Sequence, residues 1–555
     1  MRVVIIGGVA GGAACGARLR RLSENTEIII LEKTENVSFA NCGLPYYLGG
    51  VIKHRQNLLV SNSEHFKKVF NIDVRIKNEV ISIDTASKIV TVKNLNTDEI
   101  YSLSYDKLVL SPGALPIIPS IENIENVQKI YTLRNMEDVD KIYSAINAKN
   151  SQKAVIIGGG YIGLEMAHML SFKGIDTTII EASDQVMATV DKEMTAPIME
   201  ELKSLNINVK LNSFAKKIKF DNNTITIFTN DGKELLCDFV VLCVGVKPDI
   251  ALAKNAGLRI GKLGGIMTDS HMKTSDSNIY AIGDAVEVKN LINEEMSLIP
   301  LAGPAAKQGR IVADNLMGAQ KTYKGTQGTA ICKIGSLTMA ATGLTEKNLQ
   351  KSGVSLSEYF VVYSNPFDHA TYYPNAEKMA IKVIFERKTS QILGAQIVGK
   401  NGVDKKIDLL ATALRQSMTI NDLTELEFAY APPYGSAKDV VNMIGFIAEN
   451  FYTGMEVPGY MKDLKKSNYF LLDVRTESEF NSGHIQNATN ISLQDLRNRL
   501  PELLKISNGK EILVYCAVGQ RAHMACQILS NNNIKCRNLS GGYTTYLMFE
   551  AVKDQ

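Results

Sequence analysis

Short apolar runs that end in glycine turns recur along this chain. Residues 2–22 read RVVIIGGVAGGAACGARLRRL, a strand-length apolar run followed by a glycine turn and a helix-length segment. The next apolar run, EIIILEK, reaches Glu32 at its end. A strand, a glycine turn, a helix and a second strand that ends in an acid form the βαβ pattern of dinucleotide-binding sites. The sequence therefore predicts a first dinucleotide site, formed by Gly7, Gly8, Val9, Ala10, Gly11, Gly12, Glu32 and Lys33.

A second copy of the pattern lies further along the chain. The stretch KAVIIGGGYIGLEMAHML carries Gly158, Gly160 and Gly163 in full GxGxxG spacing, and the run DTTIIEAS that follows contains Glu181. The pyrophosphate is expected at the helix N-terminus, where free N–H groups and the helix dipole favour anions. A carboxylate at Glu181 accepts a hydrogen bond from a ribose 2′-hydroxyl and repels a 2′-phosphate, which favours NADH over NADPH. Two such sites predict electron transfer from one cofactor to another.

Length and composition indicate a multidomain globular protein. The 555 residues exceed what one core holds, so about three or four domains are expected. A hydrophobic content of 45% and a charged content of 21% are ordinary, and a net charge of +3 gives no reason to expect nucleic acid. We expect neither a signal peptide nor a membrane-crossing run, because the apolar runs are too short.

The cysteines are few and scattered. They are Cys15, Cys42, Cys237, Cys243, Cys332, Cys516, Cys526 and Cys536. This spacing favours no disulfide framework, and without a CxxC pair it predicts no metal site. A reducing, cytoplasmic setting is therefore the expectation.

Three further apolar runs, YDKLVLSPGALP, FVVLCVGVKPD and NIYAIGDAVEV, also end in glycine turns. In this order the runs and the two glycine motifs resemble the flavoprotein disulfide reductase superfamily. The resemblance implies an α/β protein in which the first motif holds FAD, with Asp284 near the flavin ribityl or phosphate groups, and the second holds NAD(P)H. The implied boundaries are an FAD domain at 1–115 and 245–320, an NADH domain at 116–244, an α+β dimerisation domain at 325–450, a linker at 451–458 and a further α/β domain at 459–555.

Cys42 stands without a nearby thiol in the stretch VSFANCGLPYY. One thiol cannot form an intramolecular disulfide, so its redox partner is either an external thiol or oxygen, the latter giving a sulfenic acid. We expect a bound flavin and a helix terminus to keep the pKa of this thiol low.

That stretch, together with HATYYPNA and EFAYAPPYGSAKD, resembles the coenzyme A-disulfide reductase family. The resemblance implies that Tyr372 (with Tyr373 as the alternative) and Tyr430 reach the cysteine of the partner subunit in a homodimer and assist the leaving thiol. The chain departs from the family at Ala306, where a polar residue is common. The implied coenzyme A-binding positions are Ala14, Cys15, Gly16, Ala17, Arg18, Arg21, Ser38, Asn41 and Lys438.

The last unit contains a second motif-bound cysteine, in the stretch EILVYCAVGQRAHMACQIL. A strand leads to Cys516, a glycine-containing loop follows, and a helix is predicted to start near Arg521, so that loop amides and the helix N-terminus stabilise a thiolate. The C-x4-R spacing resembles the rhodanese family, whose cysteine carries sulfane sulfur; related phosphatases have C-x5-R. The implied loop is Cys516, Ala517, Val518, Gly519, Gln520 and Arg521. We interpret Asp473, Arg475 and His484 as scaffold supports, and Cys526 and Cys536 as structural.

The whole chain resembles the coenzyme A-disulfide reductase–rhodanese fusions, NADH-dependent persulfide or polysulfide reductases. The resemblance implies that electrons from NADH pass through FAD to Cys42, which attacks coenzyme A disulfide, coenzyme A persulfide or polysulfide. It leaves open whether coenzyme A is a substrate or a bound cofactor. Three alternatives are an NADH oxidase or peroxidase that uses a sulfenic acid, a protein that is mainly a sulfurtransferase, and a non-catalytic redox sensor.

Overall fold

A computed structural model describes residues 1–148 and 151–553 of the protein, which form two compact units. Residues 1–183 and 206–328 contribute to the first unit, and residues 184–205 with those from 329 onward contribute to the second. The segment 184–205, expected within the NADH domain, therefore makes its main contacts with the second unit. The other domain boundaries stay predictions.

Two parallel sheets of five strands form the first unit's centre. The first has the order Ile279–Ala281, Lys107–Leu110, Arg2–Ile6, Glu27–Glu32 and Asp73–Ile76. The second has the order Asn208–Lys210, Asp176–Ile180, Lys153–Ile157, Phe239–Leu242 and Ile130–Thr132. The inner strands of both sheets are mostly buried and rich in Val, Ile and Leu, as expected of parallel strands covered on both faces, whereas the edge strands Asp73–Ile76, Asn208–Lys210 and Ile130–Thr132 are partly exposed.

In each parallel sheet, one strand is followed by a glycine turn and then a helix, which is Ala10–Leu22 in the first sheet and Tyr161–Phe172 in the second. Gly7 has φ +93°, and a Cβ at Gly12 would lie 1.9 Å from the carbonyl oxygen of Gly7. The second turn repeats this approach, since a Cβ at Gly163 would lie 2.0 Å from the carbonyl oxygen of Gly158. Only glycine allows the helix to start this close to the strand.

Smaller elements complete the first unit. Its antiparallel three-stranded sheets are Asn78–Asp84 with Ile89–Asn94 and Ile100–Ser104, and Ala215–Asp221 with Thr224–Thr229 and Glu234–Cys237. Two-stranded pairs are Ala114–Pro116 with Val246–Pro248, and Val288–Lys289 with Met296–Ser297. Its other α-helices are Leu44–Leu48, Ser63–Phe70, Met136–Ile146, Ala251–Asn255 and Ala302–Leu316.

The second unit contains an antiparallel sheet and a parallel sheet. The antiparallel sheet has the order Ala330–Ile334, Leu337–Gly343, Ile392–Gly399, Met379–Glu386 and Tyr359–Ser364. The parallel sheet has the order Pro458–Gly459, Cys536–Leu539, Glu511–Tyr515, Tyr469–Asp473 and Thr489–Asn490. The α-helices are Ala196–Ser204, Glu346–Lys351, Val403–Arg415, Ile420–Glu425, Val440–Tyr452, Glu477–Asn481, Leu500–Ser507, Gln520–Asn531 and Gly542–Ala551.

The parallel sheet and its helices, here called the C-terminal domain, pack against the edge strand Tyr359–Ser364 of the antiparallel sheet. The hydroxyl of Tyr460 accepts from the N–H of Val361 (3.1 Å) and donates to its carbonyl (3.2 Å). The N–H of Tyr363 donates to the hydroxyl of Ser540 (3.2 Å). Side chains of the C-terminal domain therefore satisfy backbone groups that an edge strand normally leaves to water.

The stretch expected to be a linker is packed. Glu456 is 5% exposed, and its carboxylate accepts from the side-chain amide of Asn538 (2.8 Å) and pairs with His523. These contacts are long-range in sequence, so the glycine and polar residues around Glu456 gave no indication of them.

Lys382 lies at the centre of a buried charge cluster in the second unit. It is 1% exposed, and its ammonium group lies 2.8 Å from Asp191, 2.6 Å from Glu193 and 2.6 Å from Glu346. Burial alone would lower the pKa of Lys382, but the three carboxylates and the phenol of Tyr363 raise it well above its usual value. The cluster fastens the segment 184–205 to the antiparallel sheet.

None of the helices in the described ranges, 1–148 and 151–553, has the length and apolar character needed to cross a membrane.

Candidate functional site

The first glycine turn and the acid that follows it are joined by a hydrogen bond. The N–H of Gly8 donates to Oε2 of Glu32 (2.8 Å), while the N–H (2.9 Å) and hydroxyl (2.8 Å) of Thr34 donate to Oε1. Glu32 is buried at the end of its strand, and its carboxylate is fixed beside the turn. Carboxylate oxygens in this position can also accept hydrogen bonds from the hydroxyl groups of a ribose.

The second turn has the same arrangement. The N–H of Gly159 donates to Oε2 of Glu181 (2.7 Å), while the N–H (2.8 Å) and hydroxyl (2.7 Å) of Ser183 donate to Oε1. The two predicted nucleotide sites therefore share one local geometry.

The N-termini of both turn helices fit a pyrophosphate. The cap residues are Val9 and Gly160, and neither makes a side-chain capping hydrogen bond, so the first N–H groups are available to an anion. Among the described residues, a Cβ at Gly160 would meet nothing within 4 Å, which leaves space beside the second turn. Of the other residues predicted near FAD, Asp284 forms an ion pair with Arg134 (2.7 Å), and Lys33 pairs with Asp249 (3.5 Å).

Cys42 is the exposed member of the eight free cysteines. It lies in the single-turn helix Asn41–Gly43, immediately before helix Leu44–Leu48. Burial of the sulfur region raises the pKa of Cys42, the charge of Glu165 raises it further, and Arg134 lowers it in part. The expected low pKa is therefore not a property of the surrounding protein groups, because desolvation and a carboxylate outweigh the one cation.

The predicted coenzyme A positions fall into different environments. Arg18 is bound to Asp314 (2.7 Å), whereas Arg21 is exposed. Ser38 has φ +51° and its carbonyl accepts from two loop N–H groups, and Oδ1 of Asn41 is buried with no hydrogen-bond partner among the described residues. Such an oxygen is suited to a ligand donor.

Two predicted coenzyme A positions face the core of the first unit. Cys15 is 0% exposed in the core of the first unit, where burial raises its pKa to about 12. A Cβ at Gly16 would face Ile30 and Ile5, so this position also faces the core. Both lie on the buried face of the helix, opposite the solvent, while Ala14 and Ala17 are half-buried beside them.

Tyr372 and Tyr430 are brought together in the second unit. Their hydroxyl groups hydrogen-bond each other, and this bond raises the pKa of Tyr430. Tyr372 is 74% and Tyr430 is 45% exposed, and both line a cavity of about 340 Å³ together with Lys438. Tyr373 lies outside this lining and stacks edge-on against His369. The geometry favours Tyr372 over Tyr373 as the partner of Tyr430.

Cys516 lies directly after strand Glu511–Tyr515, at the start of a loop that leads into helix Gln520–Asn531. The N–H of Gly519 donates to Sγ of Cys516 (3.2 Å), and Gly519 has φ +100°, which glycine tolerates. The thiol is 1% exposed. The loop thus directs a backbone N–H at the sulfur.

Arg521 contacts both the loop and an acid that the sequence did not single out. Its guanidinium donates twice to Glu479 (2.7 and 2.6 Å), and this pair lowers the pKa of Glu479 to about 2. Arg521 also lines a cavity of about 630 Å³ with Arg499 and Asn490. A cavity of this size beside the loop can hold a small sulfur donor or acceptor.

The residues interpreted as scaffold supports make structural contacts. Arg475 forms a buried ion pair with Asp473 (2.6 Å), donates to the carbonyl of Gly483 (2.7 Å) and lies over the ring of Tyr543 (4.3 Å to the centroid). His484 stacks on Phe480 (3.8 Å between centroids).

Comparisons with known proteins show the family of the chain. Residues 1–309 match the pyridine nucleotide-disulphide oxidoreductase family, and residues 329–440 match its dimerisation domain. The chain belongs to this family. Residues 457–548 of this oxidoreductase match the rhodanese-like domain, which confirms the predicted α/β fold class and the fused rhodanese unit.

Three proteins illustrate the similarity. A coenzyme A disulfide reductase of Staphylococcus haemolyticus is 36% identical over 450 residues, which are 81% of this oxidoreductase and 99% of that protein. The reduced CoADR-RHD of Bacillus anthracis superposes with a TM-score of 0.96 at 42% identity, covering 100% of this chain and 98% of that one. A NAD-dependent persulfide reductase from A. fulgidus superposes with a TM-score of 0.91 at 36% identity, covering 98% of this chain and 100% of that one. The oxidase, sulfurtransferase and sensor alternatives are not favoured.

Several residues near the predicted site were missed by sequence reasoning. Arg134, Glu165 and Glu479 act on Cys42 or Arg521 from distant parts of the chain, and Gln308 accepts from the N–H of Gly283 beside Asp284 (2.7 Å). Glu165 lies within the second glycine-motif helix, but no local pattern distinguishes it from an ordinary helical acid.

Proposed function

We propose that this oxidoreductase uses electrons from NADH to reduce coenzyme A disulfide, coenzyme A persulfide or polysulfide at Cys42, and that Cys516 carries sulfane sulfur. The observation that carries the proposal is the exposure of Cys42 in a stretch that is bonded to the first glycine turn, since the N–H of Ser38 donates to the carbonyl of Gly8 (2.8 Å), in a chain whose rhodanese loop directs an N–H at a second cysteine. The names of the similar proteins support the same substrate class.

The proposed reaction starts at the Cys42 thiolate. It attacks one sulfur of coenzyme A disulfide, the S–S bond breaks, and a coenzyme A thiolate leaves as the mixed disulfide forms. With coenzyme A persulfide as substrate, sulfide leaves instead. Tyr372 and Tyr430 of the partner subunit donate a hydrogen bond or a proton to the leaving sulfur. FAD at the Gly7–Gly12 turn and NADH at the Gly158–Gly163 turn would supply the electron pair for this regeneration, in which the S–S bond of the mixed disulfide breaks, the second coenzyme A thiol leaves and the Cys42 thiolate is restored.

Cys516 supplies the sulfane sulfur in this proposal. A Cys516 persulfide transfers its outer sulfur to a coenzyme A thiol, which regenerates the Cys516 thiolate and yields coenzyme A persulfide for Cys42. The long coenzyme A arm would carry sulfur between the two cysteines, whether it stays bound or turns over. Binding of its phosphates is assigned to Arg18, Arg21 and Lys438, with Asn41 and Ser38 close to Cys42.

The nucleotides are assigned to the two turns. Glu32 and the Gly7–Gly12 turn would hold FAD, with Asp284 toward its ribityl or phosphate groups. Glu181 and the Gly158–Gly163 turn would hold NADH in preference to NADPH. We also propose a homodimer, supported by the match to a dimerisation domain, and a reducing cytoplasmic setting, supported by eight free thiols.

The test is anaerobic NADH oxidation with coenzyme A disulfide, coenzyme A persulfide and polysulfide, on the wild type, Cys42→Ser and Cys516→Ser. We expect Cys42→Ser to be inactive on all three substrates, because each reaction passes through that thiolate. Cys516→Ser should keep disulfide reduction and lose sulfur transfer from polysulfide to coenzyme A. Cys526→Ser is the matched control for Cys516→Ser, since it changes a buried cysteine of the same domain.

Two outcomes contradict the proposal. Turnover that needs oxygen would favour an oxidase. If Cys516→Ser equals the wild type on every substrate, the rhodanese loop has no part in the reaction.

A further inference from the structure

One short segment, residues 540–545, contacts the Cys516 loop. The N–H of Tyr543 donates to the carbonyl of Cys516 (2.8 Å), and the N–H of Thr544 donates to the carbonyl of Ala517 (2.9 Å). These bonds hold the two residues at the start of the loop. The segment therefore helps to set where the Gly519 N–H and the Cys516 sulfur lie relative to each other.

The same segment contacts the antiparallel sheet of the dimerisation domain on its other side. Nδ2 of Asn365 donates to the carbonyl of Gly541 (3.3 Å) and to Oγ1 of Thr545 (3.0 Å). Asn365 is 7% exposed and directly follows Ser364, the last residue of the edge strand. Its amide is thus a buried link between the sheet and the segment.

The segment needs such a link because of its two glycines. Gly541 has φ +76° and Gly542 has φ +60°, and consecutive glycines lose much conformational entropy when they are ordered. A Cβ at Gly541 would lie 2.7 Å from Cβ of Tyr363, so the turn fits directly against the edge strand. A Cβ at Gly542 would lie 2.4 Å from the carbonyl oxygen of Cys516. The turn is therefore pressed between the sheet and the loop.

We propose that Asn365 is a positioning residue for Cys516, so that sulfur chemistry in the rhodanese domain depends on a side chain of the dimerisation domain. The inference rests on the proposed function, in which Cys516 carries sulfane sulfur. Asn365 acts through Gly541 and Thr545 on the segment, and through the segment on the loop. When the loop is in place, the Gly519 N–H stabilises the negative sulfur.

The probe reaction is sulfur transfer from thiosulfate to cyanide. The Cys516 thiolate attacks the outer sulfur of thiosulfate, the S–S bond breaks, and sulfite leaves with the electron pair of that bond. Cyanide then attacks the outer sulfur of the persulfide, thiocyanate forms, and the thiolate returns. The cycle needs no other oxidant or reductant.

The experiment compares Asn365→Ala and Thr545→Val with Tyr460→Phe in the full-length, FAD-loaded enzyme. Tyr460→Phe is the matched control because Tyr460 bonds Val361 of the same edge strand and, within the described part of the chain, makes no hydrogen bond to residues 540–545. We measure kcat and KM for thiosulfate, and the pH profile of Cys516 alkylation by mass spectrometry of its peptide.

For Asn365→Ala we expect kcat to fall about tenfold with little change in KM, because a displaced loop costs rate rather than binding. The alkylation midpoint should move to higher pH, because the thiolate loses its N–H donor. Thr545→Val should shift both in the same direction by less, and Tyr460→Phe should shift neither.

The inference is overturned if both variants keep the wild-type kcat and pH profile, or if Tyr460→Phe shifts them as much as Asn365→Ala. Should Asn365→Ala fail to fold, Thr545→Val decides by the same two readouts. A wild type that gains no sulfane sulfur on Cys516 from thiosulfate or polysulfide contradicts the proposed function instead, and the alkylation profile still decides the role of Asn365.

Discussion

Cys42 lies among charged side chains that act on its thiol in opposite directions. Glu165 and Asp284 raise the pKa of Cys42 and Arg134 lowers it, in addition to the larger effect of burial. Arg134 is itself paired with Asp284 (2.7 Å), so part of its charge is already balanced. The protein groups alone therefore hold Cys42 toward its thiol form.

A Glu165→Gln variant tests this balance. We expect the pKa of Cys42 to fall, because removing a negative charge favours the thiolate, while glutamine still offers an acceptor to the Tyr46 hydroxyl, which donates to Glu165 (2.9 Å). The pH midpoint of Cys42 alkylation, measured without NADH on enzyme whose Cys42 is a free thiol, should move to lower pH. Glu24→Gln, at an exposed surface position, is the control. An unchanged or raised midpoint contradicts the assignment.

Single residues were predictable where a local motif contains them. Cys42, Cys516, Glu32 and Glu181 each lie in a short motif that is recognisable in the sequence. Asn365 does not, because the role proposed for it depends on contacts with residues some 180 positions away, such as Thr545. Side chains of this kind look like ordinary surface residues until the fold is known.

The strand, turn and helix elements repeat a geometry as well as a sequence pattern. In both parallel sheets a glycine N–H and a following hydroxyl residue fix the terminal carboxylate. The two helices were predicted because the sequence of strand-length apolar run, glycine turn and helix-length segment is a local pattern. The packed stretch around Glu456 was read as a linker because its partners, Asn538 and His523, are distant in sequence.

The preference of the second nucleotide site for NADH over NADPH is testable with Glu181→Ala. We expect kcat/KM for NADH to fall about ten- to a hundredfold, since a charge-assisted hydrogen bond to the ribose is lost, while NADPH suffers less because the repulsive charge is gone. Steady-state kinetics with both nucleotides measure the change. Asp176→Ala, at the exposed start of the same strand, serves as the control. An unaltered NADH to NADPH ratio would argue against a ribose contact at Glu181.

At the scale of the whole molecule, buried polar contacts hold together the parts of the chain that form the second unit. Lys382 neutralises part of the charge of carboxylates that come from the segment 184–205 and from helix Glu346–Lys351. These groups are far apart in sequence, so no pattern in the chain predicts their meeting. The cluster explains why the segment 184–205 belongs with the antiparallel sheet.

Replacing Lys382 by methionine should destabilise the second unit strongly. We expect a loss of about 3–5 kcal/mol in the free energy of unfolding, because three buried carboxylates lose their cation. Urea unfolding followed by tyrosine fluorescence measures it. Lys400→Met removes an exposed ion pair with Glu377 (2.8 Å) and should have little effect. Equal stability of the two variants would show that the cluster contributes nothing to folding.

The packed edge strand also bears on how such a fusion arises. Strand Tyr359–Ser364 reads YFVVYS, and its first five residues are buried. A chain that stopped before the rhodanese domain would present the N–H groups of Val361 and Tyr363 on an apolar, uncharged margin, the kind of margin that recruits strands from other molecules. The staphylococcal reductases end near that point, since about 450 of their residues account for nearly their whole length. Loss of the appended domain would therefore have to be accompanied by new charges or a proline in this strand, which makes the fusion hard to reverse in a single evolutionary step.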